Sequence, residues 1–218
     1  MEPLLAPLLN SPRLPEYVAE LQPALERERA DREAFWADLT KAEKSEFING
    51  KVITRSPIRR RHGRASDLLF GLMNAFVNAH DLGCVGHEKY AVSLTRNVYE
   101  PDVCYWQKEV ADEFTDEQLQ FPAPDWIVEV LSESTERTDR GIKFEDYAAH
   151  GVREYWLVDT ERRAVEQYHL VEGRFEPATR VGAGDRLRSR VLPDFAVPVA
   201  ALFDPVANAV ALAELLKN

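Results

Sequence analysis

Apolar residues along the chain follow two periods, and these predict where helices and strands lie. Leu68, Leu72 and Phe76 recur at every fourth position within residues 62–80, which predicts an amphipathic helix with one face packed on a sheet. Shorter apolar runs, of the length typical of strands, lie at about 84–94, 102–106, 126–132 and 155–160. The pattern therefore predicts an α/β fold.

Turn signals and the order of these elements predict how the strands pair. The dipeptides Asn49-Gly50 and Glu172-Gly173 are typical of hairpin turns, which join antiparallel strands. A helical segment at about 135–151 separates the strands at 126–132 and 155–160, which is the order of a parallel βαβ unit. We therefore expect a central mixed sheet flanked by helices.

The N-terminal part of the chain has a different character. Residues 16–44 are dense in Glu, Arg, Ala and Leu and favour a helix, which Pro23 is expected to bend or restart. The total length of 218 residues suits one well-filled domain. We predict an N-terminal helical extension over residues 1–43 and one domain over residues 44–218.

Composition indicates a soluble protein of the cytoplasm. No apolar run approaches the roughly 18 to 20 residues that a membrane span needs, and the opening residues lack the basic region of a secretory signal. Cys84 and Cys104 have neither the spacing of a redox motif nor enough partners for a zinc site, so we expect both to be reduced.

Charge excludes one class of function and indicates another. With 27 Lys and Arg against 37 Asp and Glu, the net charge of -10 argues against an indiscriminate polyanion binder. Residues 55–64 nevertheless hold a run of arginines without an acid, and this run is either a nucleic-acid contact or a solvated loop. Its members are Arg55, Arg59, Arg60, Arg61 and Arg64.

One carboxylate interrupts the most apolar strand of the chain. In the run from Trp126 to Leu131 both faces of the strand are apolar except at Glu129. A buried and unpaired carboxylate would cost several kcal/mol, so Glu129 must have a partner. The alternatives are a cation of the protein such as an arginine, a metal ion, or a neutral carboxyl group.

Polar side chains in two neighbouring elements are placed so that they can lie close to Glu129. Asp102 follows Pro101 at the start of a neighbouring strand, and two converging carboxylates are a usual means of holding Mg²⁺. Asp139, Lys143 and Tyr147 share one face of the following helix. A lysine there can help orient a water molecule or neutralise a phosphate, or it can form an ordinary surface ion pair with Asp139.

These residues carry a resemblance to a known family. The runs "YEPDVCYW" and "PDWIVEVLSESTERTDRGIKFEDYAAHGVREYWLVD" closely resemble the Uma-two family, which belongs to the PD-(D/E)XK superfamily of restriction-endonuclease-like proteins. Upstream, "SEFINGKVI" and "RRRHGR" resemble the family's entry hairpin and the loop before its first core helix. Downstream, "LPDFAVPVAALF" resembles its terminal segment. The resemblance covers about residues 44–204 and implies a restriction-endonuclease-like core.

The resemblance also implies a site that cleaves phosphodiester bonds. Metal-binding positions would be Asp102, Glu129 and Val130, with Mg²⁺ or Mn²⁺ as the ion. Lys143 would be the catalytic lysine, although the superfamily places its lysine two residues after the glutamate, where this chain has Leu131. The remaining catalytic positions implied by the resemblance are Glu46, as a third acid, and Tyr147 and His62.

Three interpretations remain open from the sequence. The first is a metal-dependent endonuclease on DNA, contacted through Arg59, Arg60, Arg61 and Arg64. The second is a catalytically inactive nuclease-like scaffold that binds nucleic acid or a protein partner. The third is a plain homo-oligomeric structural protein in which Glu129 pairs with an arginine and no divalent ion binds. By analogy with enzymes that cut two strands, we expect a homodimer or a higher homo-oligomer.

Overall fold

The structure is a computed structural model that describes residues 5–38, 44–54 and 56–217. It divides into two compact units, one of Met1–Arg55 with Thr95–Asn97, the other of Ser56–Leu94 with Val98–Asn218. The division proposed from the sequence, at residue 43, stays a prediction. No helix in the described ranges is long and apolar enough to cross a membrane.

The described residues of the first unit form two helices and a hairpin. Helix α1 is Leu5–Leu9 and α2 is Leu14–Asp38, while strands β1 (Ser45–Ile48) and β2 (Lys51–Thr54) are antiparallel. The turn at Asn49-Gly50 has φ angles of 48° and 76°, as predicted for a hairpin of type I′. Helix α2 continues through Pro23, so the predicted restart is wrong, because the loss of one backbone hydrogen bond does not end a 25-residue helix.

The second unit contains a six-stranded sheet in the order β11-β10-β9-β8-β6-β3. Its strands are β3 (Gly83–His87), β6 (Val103–Gln107), β8 (Trp126–Val130), β9 (Glu154–Asp159), β10 (Ala164–Val171) and β11 (Arg174–Val181). Strands β8 and β9 are parallel, and the other neighbouring pairs are antiparallel. The predicted mixed sheet and its βαβ unit are therefore confirmed.

Helices cover both faces of this sheet. On one face, α3 (Arg60–Ala79) packs with Trp126, Val128 and Val130 of β8 in the main hydrophobic core. The C-terminal helix α7 (Pro205–Leu215) joins the same core. Because side chains alternate along a strand, Glu129 points to the opposite face, where α6 (Ile142–Ala149) lies.

The remaining elements of the second unit are short. They are β4 (Ala91–Ser93), β5 (Val98–Tyr99), α4 (Lys108–Ala111), β7 (Gln120–Phe121), α5 (Glu136–Asp139), β12 (Arg186–Arg188), β13 (Ala196–Pro198) and a 3₁₀ turn at Val199–Leu202. Strand β4 pairs with β5 and β7, and β12 pairs with β13. Cys84 and Cys104 form no disulfide in the part of the chain that the structure describes.

The predicted helix over 135–151 is two helices in the structure. Helix α5 ends at Asp139 and α6 begins at Ile142, so Arg140 and Gly141 form a break between them. A Cβ atom at Gly141 would lie 2.7 Å from the carbonyl oxygen of Arg137, which is closer than such contacts allow. The close approach of the chain at this break therefore requires glycine.

Gly83, where β3 begins, provides a test of the fold. Its φ angle is +131°, and a Cβ atom there would lie 2.2 Å from the carbonyl oxygen of Trp106. We expect Gly83→Ala to lower the free energy of unfolding by more than about 2 kcal/mol, as measured by urea denaturation. Gly71→Ala is the control, because a Cβ atom at that helical position meets nothing within 4 Å; equal stabilities of the two variants would contradict the strained geometry.

Candidate active site

Glu129 lies near the end of β8, an inner strand of the six-stranded sheet, and is paired with groups of α6. Only 3% of its surface is exposed. Its Oε1 atom accepts hydrogen bonds from Lys143 Nζ at 2.8 Å and from Tyr147 Oη at 3.0 Å. The cation of the protein that accompanies this carboxylate is therefore a lysine of the following helix.

Lys143 is held between two carboxylates in the interior. Its Nζ lies 3.5 Å from Asp139 Oδ1 and 5.6 Å from the centre of the Tyr99 ring. Asp139 is 1% exposed and Lys143 is 2% exposed, so the alternative of a surface ion pair is wrong. The pair is buried because α6 packs Tyr147 against the same sheet face, with its ring 5.5 Å from that of Tyr155.

The break between α5 and α6 sets the direction from which Lys143 approaches Glu129. Arg140 donates to both carboxylate oxygens of Glu166 on β10, at 2.7 and 3.0 Å, and to Glu136 at 2.8 Å. The hydrogen bonds that Arg140 donates to Glu166 lower the pKa of Glu166 and raise the pKa of Arg140. Tyr155 Oη donates to the carbonyl oxygen of Asp139 at 3.0 Å. Two neighbouring strands therefore anchor the break.

Asp102 stands beside Glu129 at one end of the sheet. Val103 of β6 pairs with Val128 of β8, so the next residues in this antiparallel register are Asp102 and Glu129. Asp102 is 4% exposed, and its Oδ2 accepts from the backbone N–H of Val130 at 2.7 Å. The two carboxylates therefore come from adjacent strands, as the sequence predicted.

A second group of metal-ligating side chains includes Asp102. His62, in the first turn of α3, is 6% exposed, and its Nε2 lies 3.3 Å from Asp102 Oδ2. With Glu88, these residues offer three ligand atoms that all lie within 4.8 Å of one another. Carboxylate oxygens with an imidazole nitrogen are a donor set that suits a divalent cation.

The other predicted catalytic and metal-binding positions have different surroundings. Glu46 lies on β1 in the first unit and is fully buried. Val130 has its side chain in the hydrophobic core, and its backbone N–H is bonded to Asp102. The roles of both residues stay predictions.

The arginine run lies at the N-terminal end of α3. Arg59, Arg60 and Arg64 line an open depression of about 380 Å³, together with Ile58, Gly63, Asp67 and Leu68. Arg61 pairs with Glu161, and Arg59 Nη2 lies 3.8 Å from Glu133 Oε2. Arg60 and Arg64 form no ion pair with any residue that the structure describes, and Arg55 is outside the described residues. The depression is therefore positively charged and open to solvent.

Sequence reasoning missed the burial of Asp139 and the position of Glu88. The spacing of four residues between Asp139 and Lys143 was a usable signal, but it is equally common on exposed helix faces. Glu88 lies within the run predicted as one strand over 84–94, which the structure divides into β3 and β4. It has a φ of +62°, so the chain turns at this residue.

Comparison with known families identifies the family to which the chain belongs. A family described as "Uma2: Putative restriction endonuclease" matches residues 33–200. The chain belongs to this Uma2 family. The match covers the sheet, both carboxylates and Lys143, so the resemblance inferred from the sequence is confirmed.

A solved structure shows the same fold. It is a protein of Anabaena variabilis, described as "a putative nuclease belonging to DUF820", and it superimposes with a TM-score of 0.63 at 19% sequence identity. The match covers 73% of this chain and 89% of the other. No curated protein matches the chain. The core is therefore restriction-endonuclease-like, and membership of the Uma2 family indicates a nuclease.

The Glu129 and Lys143 pair leads to a prediction about stability. We expect Lys143→Met to lower the free energy of unfolding by about 3 to 5 kcal/mol, because it leaves the Glu129 carboxylate buried without its cation. Glu129→Gln with Lys143→Met should recover part of this loss, since the neutral amide needs no cation. Urea denaturation of both single variants and the double variant measures the coupling.

Lys51→Met is the matched control, because Lys51 is exposed on β2. A coupling free energy near zero, with additive effects of the two substitutions, would show that the pair contributes nothing to the fold.

Proposed function

We propose that this protein is a divalent-metal-dependent endonuclease that hydrolyses phosphodiester bonds of DNA. The observation that carries the proposal is the buried cluster of Glu129, Lys143 and Tyr147 beside Asp102 at one end of the sheet. Membership of a family described as restriction endonucleases supports the reaction class. Phosphodiester hydrolysis needs negative charge neutralised where the phosphate reacts, and a lysine beside a carboxylate pair suits that requirement.

We propose that Mg²⁺ or Mn²⁺ binds the carboxylates of Asp102 and Glu129 and the backbone oxygen of Val130. When bound, such an ion lowers the pKa of a water molecule and stabilises charge on the phosphate. Asp102 is oriented by the N–H of Val130, and Glu129 is oriented by Lys143 and Tyr147. Both carboxylates are therefore fixed in position before an ion arrives.

Lys143 supplies positive charge on the same side of the sheet as Glu129. Its ammonium group is restrained by Glu129, Asp139 and the ring of Tyr99, so little motion is needed to present it to a phosphate oxygen. Tyr147 holds the Glu129 carboxylate in one rotamer by a second hydrogen bond to the same oxygen. His62 and Glu46 are proposed as accessory catalytic residues.

The energetics of the cluster support an enzyme over an inactive scaffold. Replacing a buried ion pair with well-packed apolar residues is often neutral or stabilising, so a scaffold has no need of one. In this chain Glu129, Asp139 and Lys143 are each at most 3% exposed. Sites that perform chemistry commonly retain such groups despite their cost in stability.

DNA would approach from the end of α3 that holds the arginines. Arg59, Arg60 and Arg64 line a depression at the start of the helix that also carries His62, the neighbour of Asp102. We propose that these arginines and Arg61 contact backbone phosphates without reading the sequence. A homo-oligomer and a cytoplasmic location stay predictions.

Cleavage of supercoiled plasmid in Mg²⁺ or Mn²⁺ tests the proposal. We expect native protein to nick or linearise the plasmid, and Glu129→Gln and Lys143→Met each to lower the rate at least about 100-fold, because each removes a charged group from the reacting centre. Glu176→Gln is the control, because Glu176 is exposed on β11. This variant should cleave the plasmid at the native rate.

Circular dichroism should confirm that each variant is folded before rates are compared. Native protein that binds the ion but cuts neither duplex nor single-stranded DNA would favour the inactive scaffold. Equal cutting by native protein and Lys143→Met would remove the lysine from the mechanism.

The arginines of the depression are tested by the salt dependence of DNA binding. We expect Arg60→Gln with Arg64→Gln to weaken binding to any duplex and to reduce the slope of log affinity against log salt by up to about 1.8, because two phosphate contacts are lost. Fluorescence anisotropy over a range of KCl concentrations measures the slope. Arg174→Gln with Arg188→Gln is the control of equal charge at exposed positions; an identical slope in both double variants would exclude the depression from binding.

A further inference from the structure

Three side chains from separate parts of the fold converge at Asp102. They are His62 of α3, Glu88 after β3 and Asp102 before β6, with one ligand atom of each within 4.8 Å of the others. Asp102 and His62 are 4% and 6% exposed, whereas Glu88 is only partly buried. The group is therefore enclosed by protein and reaches solvent through Glu88.

The backbone holds the three residues together. His87 pairs with Val103 in the register of β3 and β6, so Glu88 follows opposite Asp102, and its N–H donates to the carbonyl oxygen of Asp102 at 3.1 Å. The first turn of α3 then places His62 Nε2 3.3 Å from Asp102 Oδ2. Backbone pairing therefore brings Glu88 and Asp102 together.

Charge and donor chemistry indicate the class of ligand. Two carboxylates this close repel each other in a partly dry site unless positive charge lies between them. A divalent cation with a neutral imidazole and two carboxylates balances to zero net charge. An imidazole ligand disfavours Mg²⁺, which prefers oxygen atoms alone, and suits Mn²⁺ and later first-row metals.

We propose that His62, Glu88 and Asp102 form a second divalent-cation position, which takes Mn²⁺ in preference to Mg²⁺. It adjoins the position proposed on Asp102 and Glu129 and shares Asp102 with it. Glu129 is not one of its ligands, because the group of converging ligand atoms consists of His62, Glu88 and Asp102. The position is a binding site and can be tested whether or not the protein cleaves DNA.

Binding of Mn²⁺ to the full chain tests this position without reference to cleavage. Electron paramagnetic resonance of free Mn²⁺ counts the bound equivalents, and electron spin-echo modulation detects a nitrogen ligand. We expect the native protein to show nitrogen coupling. His62→Gln should abolish that coupling, and Glu88→Gln should weaken the binding of this equivalent at least about 10-fold. A 100-fold excess of Mg²⁺ over Mn²⁺ should displace it poorly.

Matched variants separate this position from its neighbour and from damage to the fold. His150→Gln removes a histidine of α6 that lies 3.1 Å from Asp146, and nitrogen coupling should remain. Glu129→Gln should also retain the nitrogen-coupled equivalent. Glu88→Gln changes a partly exposed residue, so its unfolding midpoint should stay close to that of native protein.

Three results would overturn the proposal: no nitrogen coupling in native protein, native Mn²⁺ affinity in folded Glu88→Gln, or loss of the coupled equivalent in Glu129→Gln. The first would mean that His62 only pairs with Asp102. The third would mean that the Asp102 and Glu129 position holds the metal. Failure of plasmid cleavage with nitrogen coupling intact would reject the nuclease and keep the metal site.

Discussion

The requirement that the buried Glu129 carboxylate have a partner organises one face of this fold. A strand that is apolar on both sides can hold a charge only if a cation or several donors reach it, since desolvation alone costs several kcal/mol. Helix α6 supplies Lys143 and Tyr147 to one carboxylate oxygen. Helix α6 therefore supplies the partners that allow this carboxylate to be buried.

A buried ion pair is a poor source of net stability, so the surroundings must hold its geometry. Arg140 ties the break before α6 to Glu166 on β10, and Tyr155 bonds the backbone of Asp139. Tyr155 lies on β9, next to the strand that carries Glu129, and Glu166 lies on β10, one strand further away. The sheet therefore fixes the segment that precedes α6, and this segment fixes the position of Lys143. This arrangement is expected of a preorganised site.

Asp102 links the two groups of polar residues in the second unit. Its carboxylate accepts from the N–H of Val130, lies next to Glu129 in the register, and faces His62 across the start of α3. Asp102 lies just before β6 and directly after Pro101. Its backbone is therefore fixed, and the proline is not required to donate a hydrogen bond to the sheet. Both candidate cation positions therefore depend on one residue at the end of β6.

Local pattern determined the α/β class, the hairpins at Asn49-Gly50 and Glu172-Gly173, the parallel pair around α6, and the burial of Glu129, because alternation and turn chemistry act over a few residues. Tertiary structure decided which cation meets Glu129, that Asp139 is buried, and that Glu88 turns toward Asp102. Each of these depends on contacts between elements far apart in the chain. The break at Arg140 and Gly141 likewise follows from the anchor on β10, 26 residues from Arg140.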